Sequence, residues 1–327
     1  MTRAGSTTRH DAGTVTALST RSDQAVGSAE RQGDADVAQK PNFFIAGAPK
    51  SGTTALAKWL AEHPNVFMAD PKEPWFFSKV HRSVCADMAD YLNLFASAGP
   101  QHRVVGEASP TYMEEGVVND ALAAFPGARV LVILRNPVDM APSLHGQNLT
   151  NEIEPYAQFD RAWSECRTAD GGRQGRRSYR LDYLSRCSLG QQLADLRETV
   201  PERDLAVMFY DDLLADPGAF YKRVLTFLNL PDDGRRSFRA ENVGRRVRNQ
   251  TLYRLFAQAR RAVGRVKKVT GLRGYGPGLL TWLRDRNMAS GRRKLSAETR
   301  ADLIAHFRSE VRSVEAQTGR DLSHWLS

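Results

Sequence analysis

The stretch Asn42–Leu60, NFFIAGAPKSGTTALAKWL, constrains this 327-residue chain more than any other. An apolar segment, Phe43–Ala46, runs into Gly47-Ala48-Pro49 and Lys50-Ser51-Gly52-Thr53-Thr54. A helical pattern follows, with Leu56, Trp59 and Leu60 on one face. The order is strand, glycine-containing loop, helix. A helix N-terminus presents unpaired N–H groups and a partial positive charge, so small residues leading into it let an anion approach the backbone closely. Lys50 adds a full charge, and Ser51, Thr53 and Thr54 add hydroxyl donors. The stretch reads as a phosphate cradle.

Further along, strands and helices alternate. Ala128–Leu134, ARVLVIL, is a continuous apolar run suited to a strand buried on both faces of a parallel sheet. A turn and a short strand are predicted within His63–Met68, and further short strands at Arg103–Gly106 and Leu205–Phe209. Helical spacing marks Ala86–Phe95, Val138–Leu149, Phe159–Arg167, Leu189–Thr199 and Gly218–Leu228, the last opened by Asp216-Pro217. A final helix starts at Ser296 as N-cap, aligns Leu303, Ile304, Phe307, Val311 and Val314, and stops at Gly319. This pattern predicts an α/β fold with a central, mostly parallel sheet flanked by helices. With 41% hydrophobic residues the chain can bury one large core, assigned to 41–327. Met1–Lys40 has no aromatic residue and no sustained period, and reads as a disordered tail.

Candidate chemistry gathers where predicted strands end. After the first helix, Asp70-Pro71-Lys72-Glu73-Pro74 sets a Lys-Glu pair between two prolines, a stiff non-helical loop, followed by three aromatics that must bury. Glu107-Ala108-Ser109-Pro110-Thr111-Tyr112 closes the strand near 103–106. Arg135-Asn136-Pro137 closes ARVLVIL, and Arg suits forked, charge-assisted contacts to phosphate. Gly171–Arg177, GGRQGRR, reads as a mobile loop near an acceptor mouth.

The ATPase and GTPase loop places its Lys after the second glycine, whereas here Lys50 precedes Gly52 and Thr53 follows it. P-K-S-G-T-T instead resembles the 5′-phosphosulfate loop of sulfotransferases that use 3′-phosphoadenosine-5′-phosphosulfate (PAPS). Arg135-Asn136-Pro137 with Ser143 eight residues after the Arg resembles the family's 3′-phosphate segment. Lys72-Glu73 with Phe76-Phe77 is similar to a motif of the carbohydrate-modifying branch in which the Glu is the base for the acceptor hydroxyl. Glu107–Tyr112 resembles Glu-Lys-Thr/Ser-Pro-x-Tyr of heparan-modifying members. It departs from them at Ala108, where they carry Lys, which argues against a highly anionic acceptor. The Tyr210–Leu213 block with Asp216-Pro217 is also similar to a family segment and reads as scaffold. Glu241–Arg246 lies where the family places a basic loop over the cofactor, so Arg245 or Arg246 is expected to close on the 3′-phosphate.

The resemblance implies a P-loop-like three-layer fold, PAPS as donor, adenosine 3′,5′-bisphosphate as product, and no metal. It implies Glu73, Lys50 and Lys72 as catalytic residues, with His145 as a rival base. It implies Pro49, Lys50, Ser51, Gly52, Thr53, Thr54, Arg135, Ser143, Arg245 and Arg246 as cofactor-binding. The acceptor would be a hydroxyl, or second an amine, on a carbohydrate, glycolipid or other lipid-linked molecule, or a secondary metabolite. Two other readings stand beside it: an ATP-dependent small-molecule kinase of P-loop type, and a non-catalytic module binding a nucleotide or anionic lipid.

Charge is regional. Residues 235–294 hold 18 Lys and Arg against Glu241 and Asp285, within a chain of net charge +9. Inside that region 250–268 has a basic amphipathic pattern, suited to an anionic membrane surface or to a core-packed helix with a solvated basic face. No helix-turn-helix or aromatic-interleaved signature points to nucleic acid. Three widely spaced cysteines and no run of eighteen apolar residues lead to a cytoplasmic expectation, with peripheral contact at the inner membrane surface.

Overall fold

The computed structural model describes residues 39–151, 153–168, 176–239, 245–247, 255, 286, 288–290 and 295–327. Five parallel strands form the central sheet: β1 (Phe43–Gly47), β2 (Val66–Met68), β3 (Val104–Ala108), β4 (Arg129–Leu134) and β5 (Leu205–Phe209), in the order β2-β3-β1-β4-β5. β1 is central, with Phe43 opposite Gly106 of β3 and Arg129 of β4.

Strand alternation builds two cores, because successive side chains leave opposite faces of a sheet. Phe44 and Ala46 of β1 join Val130, Val132 and Leu134 of β4 on one face, covered by α5 (Pro137–Thr150), α9 (Leu189–Thr199) and α12 (Ala297–Thr318). Phe43, Ile45, Leu131 and Ile133 join the other core, with α1 (Thr53–Ala61) and α11 (Pro217–Phe227). The result is the expected three-layer α/β fold. In α12 the predicted residues Leu303, Phe307, Val311 and Val314 are buried, Ser296 Oγ accepts from Thr299 N at 3.1 Å, and Gly319 ends the helix at φ 67°.

The other α-helices among the described residues include α2 (Met88–Asn93), α3 (Tyr112–Glu115), α4 (Val118–Ala124), α6 (Phe159–Thr168), α7 (Arg176–Leu181), α8 (Tyr183–Arg186) and α10 (Tyr210–Ala215). α7 corrects part of the Gly171–Arg177 loop reading, since Arg176 and Arg177 open a helix. Such short helices draw their stability from tertiary contacts rather than from propensity. Here Asn148 of α5 donates to the Arg180 carbonyl at 2.6 Å, and Arg186 donates to it at 3.2 Å. In the basic region β6 (Arg245–Val247) pairs antiparallel with β7 (Met288–Ser290). The Met1–Lys40 tail up to residue 38, most of Gly171–Arg177 and nearly all of the 250–268 pattern lie outside the described residues. Among the described residues no helix is long and apolar enough to cross a membrane.

Candidate active site

The chain leaves β1 toward β2 and leaves β4 toward β5, on opposite sides of the adjacent pair β1–β4. A sheet whose connections diverge in this way opens a crevice at the carboxyl ends of those strands. The two loops that meet there are Ala48–Gly52 and Arg135–Asn136. Arg135 Nη1 donates to the Lys50 carbonyl at 2.6 Å, and its guanidinium lies 4.9 Å from the Tyr210 ring centre. Two motifs that stand 85 residues apart in sequence are thus in direct contact.

The cradle is shaped by backbone. Lys50 (φ 65°) and Gly52 (φ 87°) are both left-handed, and Gly52 is the N-cap of α1. A Cβ at Gly52 would sit 3.0 Å from Leu213 Cδ1 and 3.3 Å from the Tyr210 ring, so both conformation and space require glycine. With no side chain at the cap, the first-turn amides of α1 are left for another acceptor. Pro49, Ser51 and Thr53 are buried, Thr54 is half-buried, and Ser51 Oγ donates to the Pro49 carbonyl at 3.4 Å. α5 begins at Pro137, with Asn136 capping Val138 N at 2.9 Å and donating to the Trp325 carbonyl at 3.2 Å. Ser143 lies half-buried on that helix. The backbone of Arg245 and Arg246 is in β6, and their side chains lie outside the described residues.

The electrostatics match an anion site. Burial, then the Arg135 charge, pushes the Lys50 ammonium below its ordinary range; Glu73 opposes this, and Lys72 and Arg186 add to it. Lys50, Arg135, Lys72, Glu73 and Arg186 therefore share one neighbourhood, with more cations than anions. Lys72 Nζ reaches Glu73 Oε1 at 2.5 Å, both side chains being partly exposed. Glu73 (φ 63°) and Trp75 (φ 52°) are left-handed non-glycine residues, a strained backbone of the kind found at functional sites. Among the described residues no group of three or more His, Cys, Asp and Glu could hold a metal ion.

Several contributors were not read as site-builders from sequence. Tyr210 and Leu213, taken as plain scaffold, form the wall against Gly52, and Tyr210 also supports Arg135. Asp211 and Asp212 are scaffold as expected: Asp212 accepts from Arg320 at 2.6 and 2.7 Å, and Asp211 from Trp325 Nε1 at 2.6 Å. Arg186 is held in the interior by Glu114, with Nη2 to Oε1 at 3.1 Å, and that carboxylate keeps the guanidinium charged. Glu115 accepts from Ser78 Oγ, Lys79 N and His81 Nδ1 at 2.8–2.9 Å, pinning the chain beyond the aromatics of the Glu73 loop. Ala108 is buried in the core under α1, so position 108 contributes packing. His145 packs against Phe159 and Tyr183, with Nε2 2.9 Å from the Tyr156 carbonyl, which makes it part of the core.

The model of the sulfotransferase domain family matches residues 40–251. The chain is similar to the membrane-associated sulfotransferase kil1 of Dictyostelium discoideum, 31% identical over 32% of this chain and 22% of that protein. It is similar to the bifunctional heparan sulfate N-deacetylase/N-sulfotransferase 1 of Caenorhabditis briggsae, 25% identical over 59% and 23%. Human carbohydrate sulfotransferase 15 is 29% identical over 30% and 26%. The chain thus matches about a quarter of the length of these relatives. In fold it is similar to the sulfotransferase from Alicyclobacillus acidocaldarius, with a TM-score of 0.63 and 22% identity, covering 88% of this chain and all of that one. The family match spans more than half of the chain, and the protein belongs to the sulfotransferase family.

Proposed function

We propose that this sulfotransferase takes its sulfuryl group from PAPS and passes it to a hydroxyl, or second an amine, of a carbohydrate, glycolipid or secondary-metabolite acceptor. The observation that carries this reading is the contact between the Lys50 loop and Arg135 across the β1–β4 crevice. A donor with a phosphosulfate at one end and a 3′-phosphate at the other needs two cationic cradles at a fixed separation, and these loops supply two. The α1 amides, Ser51, Thr53 and Thr54 would hold the phosphosulfate, with Gly52 and Pro49 shaping the loop. Arg135 and Ser143 would hold the 3′-phosphate. Lys50 would stabilise charge on the bridging oxygen as the sulfur–oxygen bond breaks, the main task left to a protein in in-line transfer. Glu73 would accept the acceptor proton as the new oxygen–sulfur bond forms, with Lys72 orienting its carboxylate.

Carbohydrate is the first acceptor class to try, because relatives named as carbohydrate and heparan sulfate sulfotransferases share part of this sequence. Cys85, Cys166 and Cys187 are buried thiols rather than disulfides, which supports the reducing, cytoplasmic setting proposed here. Calorimetric titration tests the donor: adenosine 3′,5′-bisphosphate should bind more tightly than ATP. A preference for ATP would overturn the reading in favour of a kinase; with the bisphosphate preferred, turnover of radiolabelled PAPS in extracts identifies the acceptor.

A further inference from the structure

Glu107 is fully buried near the end of β3, away from solvent, and takes no part in the transfer scheme above. It accepts three hydroxyl donors: Tyr91 at 2.8 Å, Ser109 at 2.6 Å and Tyr112 at 3.0 Å. The two tyrosines are also the walls of a box. Phe76 stacks on Tyr91 with ring centres 4.5 Å apart and planes 16° apart, and Phe77 meets Tyr91 and Tyr112 edge-on at 5.6 and 5.9 Å. The Tyr112 hydroxyl, while donating to Glu107, accepts the Phe77 N–H at 3.3 Å.

Phe76 and Phe77 stand three and four residues after Glu73. Glu73 itself and Trp75, just before the two phenylalanines, are left-handed, and a backbone in that region persists only where its surroundings over-determine it. Glu115 fixes the chain from Ser78 onward. Next to Glu73, the Pro74 carbonyl accepts from Val84 N at 3.1 Å and Trp75 stacks on His81, while the tyrosine box holds the two residues that follow, Phe76 and Phe77.

We propose that Glu107 is a positioning residue for sulfuryl transfer: by anchoring Tyr91 and Tyr112 it clamps Phe76-Phe77 and so fixes the loop that presents Glu73 to the acceptor. This rests on the assignment of Glu73 as base. A buried carboxylate suits the task, since it has acceptor sites for all three hydroxyls, whereas an apolar residue would take the acceptor from two buried phenol O–H groups.

The test uses Glu107→Gln, Tyr112→Phe, which keeps the ring, and Ser109→Ala, which removes a Glu107 partner without touching the loop. Amide exchange over residues 72–77 should rise by about tenfold or more in the first two and stay at the wild-type level in Ser109→Ala. Calorimetric affinity for adenosine 3′,5′-bisphosphate should be unchanged in all three. Release of adenosine 3′,5′-bisphosphate from PAPS should fall in kcat by about tenfold or more in the first two, with KM for PAPS unaltered, since a small misplacement of a catalytic group is enough for that. Wild-type exchange over 72–77 in Tyr112→Phe would overturn the proposal, as would an equal rise in β4 or an equal effect of Ser109→Ala. A Glu73→Gln variant separates the two claims: if it keeps releasing product, the base assignment falls, while the exchange pattern decides the Glu107 anchor by itself.

Discussion

Replacing Arg135 by Ala should separate the two ends of the donor. The side chain is 7% exposed, one Nη is committed to the Lys50 carbonyl at 2.6 Å, and its face rests on Tyr210, so it is already oriented before any ligand arrives. A hydrogen bond between charged partners contributes about 1.5–3 kcal/mol. At 1.4 kcal/mol per factor of ten, losing one such bond weakens binding roughly 10- to 150-fold, and a forked contact loses more. Calorimetry should therefore show adenosine 3′,5′-bisphosphate binding on the order of 10²-fold more weakly to Arg135→Ala. Adenosine 5′-phosphate, which lacks the 3′-phosphate, should change only a few-fold through the lost distant charge. Arg135→Lys should fall between, keeping the charge but not the fork. The competing possibility is that Arg135 acts only by holding the Lys50 carbonyl. In that case both nucleotides would weaken by the same factor, and the division of the donor between two cradles would be wrong.

Glu73→Gln should keep wild-type affinity for adenosine 3′,5′-bisphosphate and lose on the order of 10²- to 10⁴-fold in turnover; full activity would remove Glu73 from the base role. Arg186→Met should destabilise the fold by about 3–5 kcal/mol in denaturant titration, because it strands the buried Glu114 carboxylate, and Arg186→Met with Glu114→Met together should recover most of that. A double variant no better than the single one would mean that the pair is not coupled as drawn. Lys50→Met should melt higher than wild type at pH 7 without ligand. The folded-state pKa of Lys50 lies below its ordinary 10.5, so the unfolded chain binds the proton more readily and the charged lysine costs stability at neutral pH. That cost vanishes as pH rises through the depressed value toward 10.5, so the advantage of Lys50→Met should shrink in scanning fluorimetry from pH 7 to pH 10; an advantage that grows instead would contradict the direction of the shift.

The sequence by itself determined the layers and suggested an anionic ligand. A run such as ARVLVIL has one low-energy home, a strand covered on both faces, and the polar residues after it must then lie at the sheet's edge. PKSGTT announces its chemistry locally, because a glycine at a helix start and a lysine beside it act through the backbone within five residues. Lys50, Arg135, Lys72 and Glu73 each stand out in the sequence by position, after a strand or between prolines. Their meeting does not. Contact between the Lys50 carbonyl and Arg135 depends on β1 and β4 being neighbours, and strand order is set by how the two faces pack, which pattern alone does not encode.

The supports were hidden for the same reason. Tyr210 resembles any aromatic at a strand end until Gly52 is found against its ring. Short α7 and α8 carry little helical pattern; Asn148 and Arg186 donate to the Arg180 carbonyl in α7, and Asp182 caps Ser185 N in α8. Glu107 has Ser109 and Tyr112 beside it in sequence, but the third hydroxyl, from Tyr91 sixteen residues before it, and the burial of the whole group are settled only by the packing. Local chemistry is written in consecutive residues; only the tertiary structure decides which distant side chains hold it in place, because those contacts are made across the sheet and not along the chain.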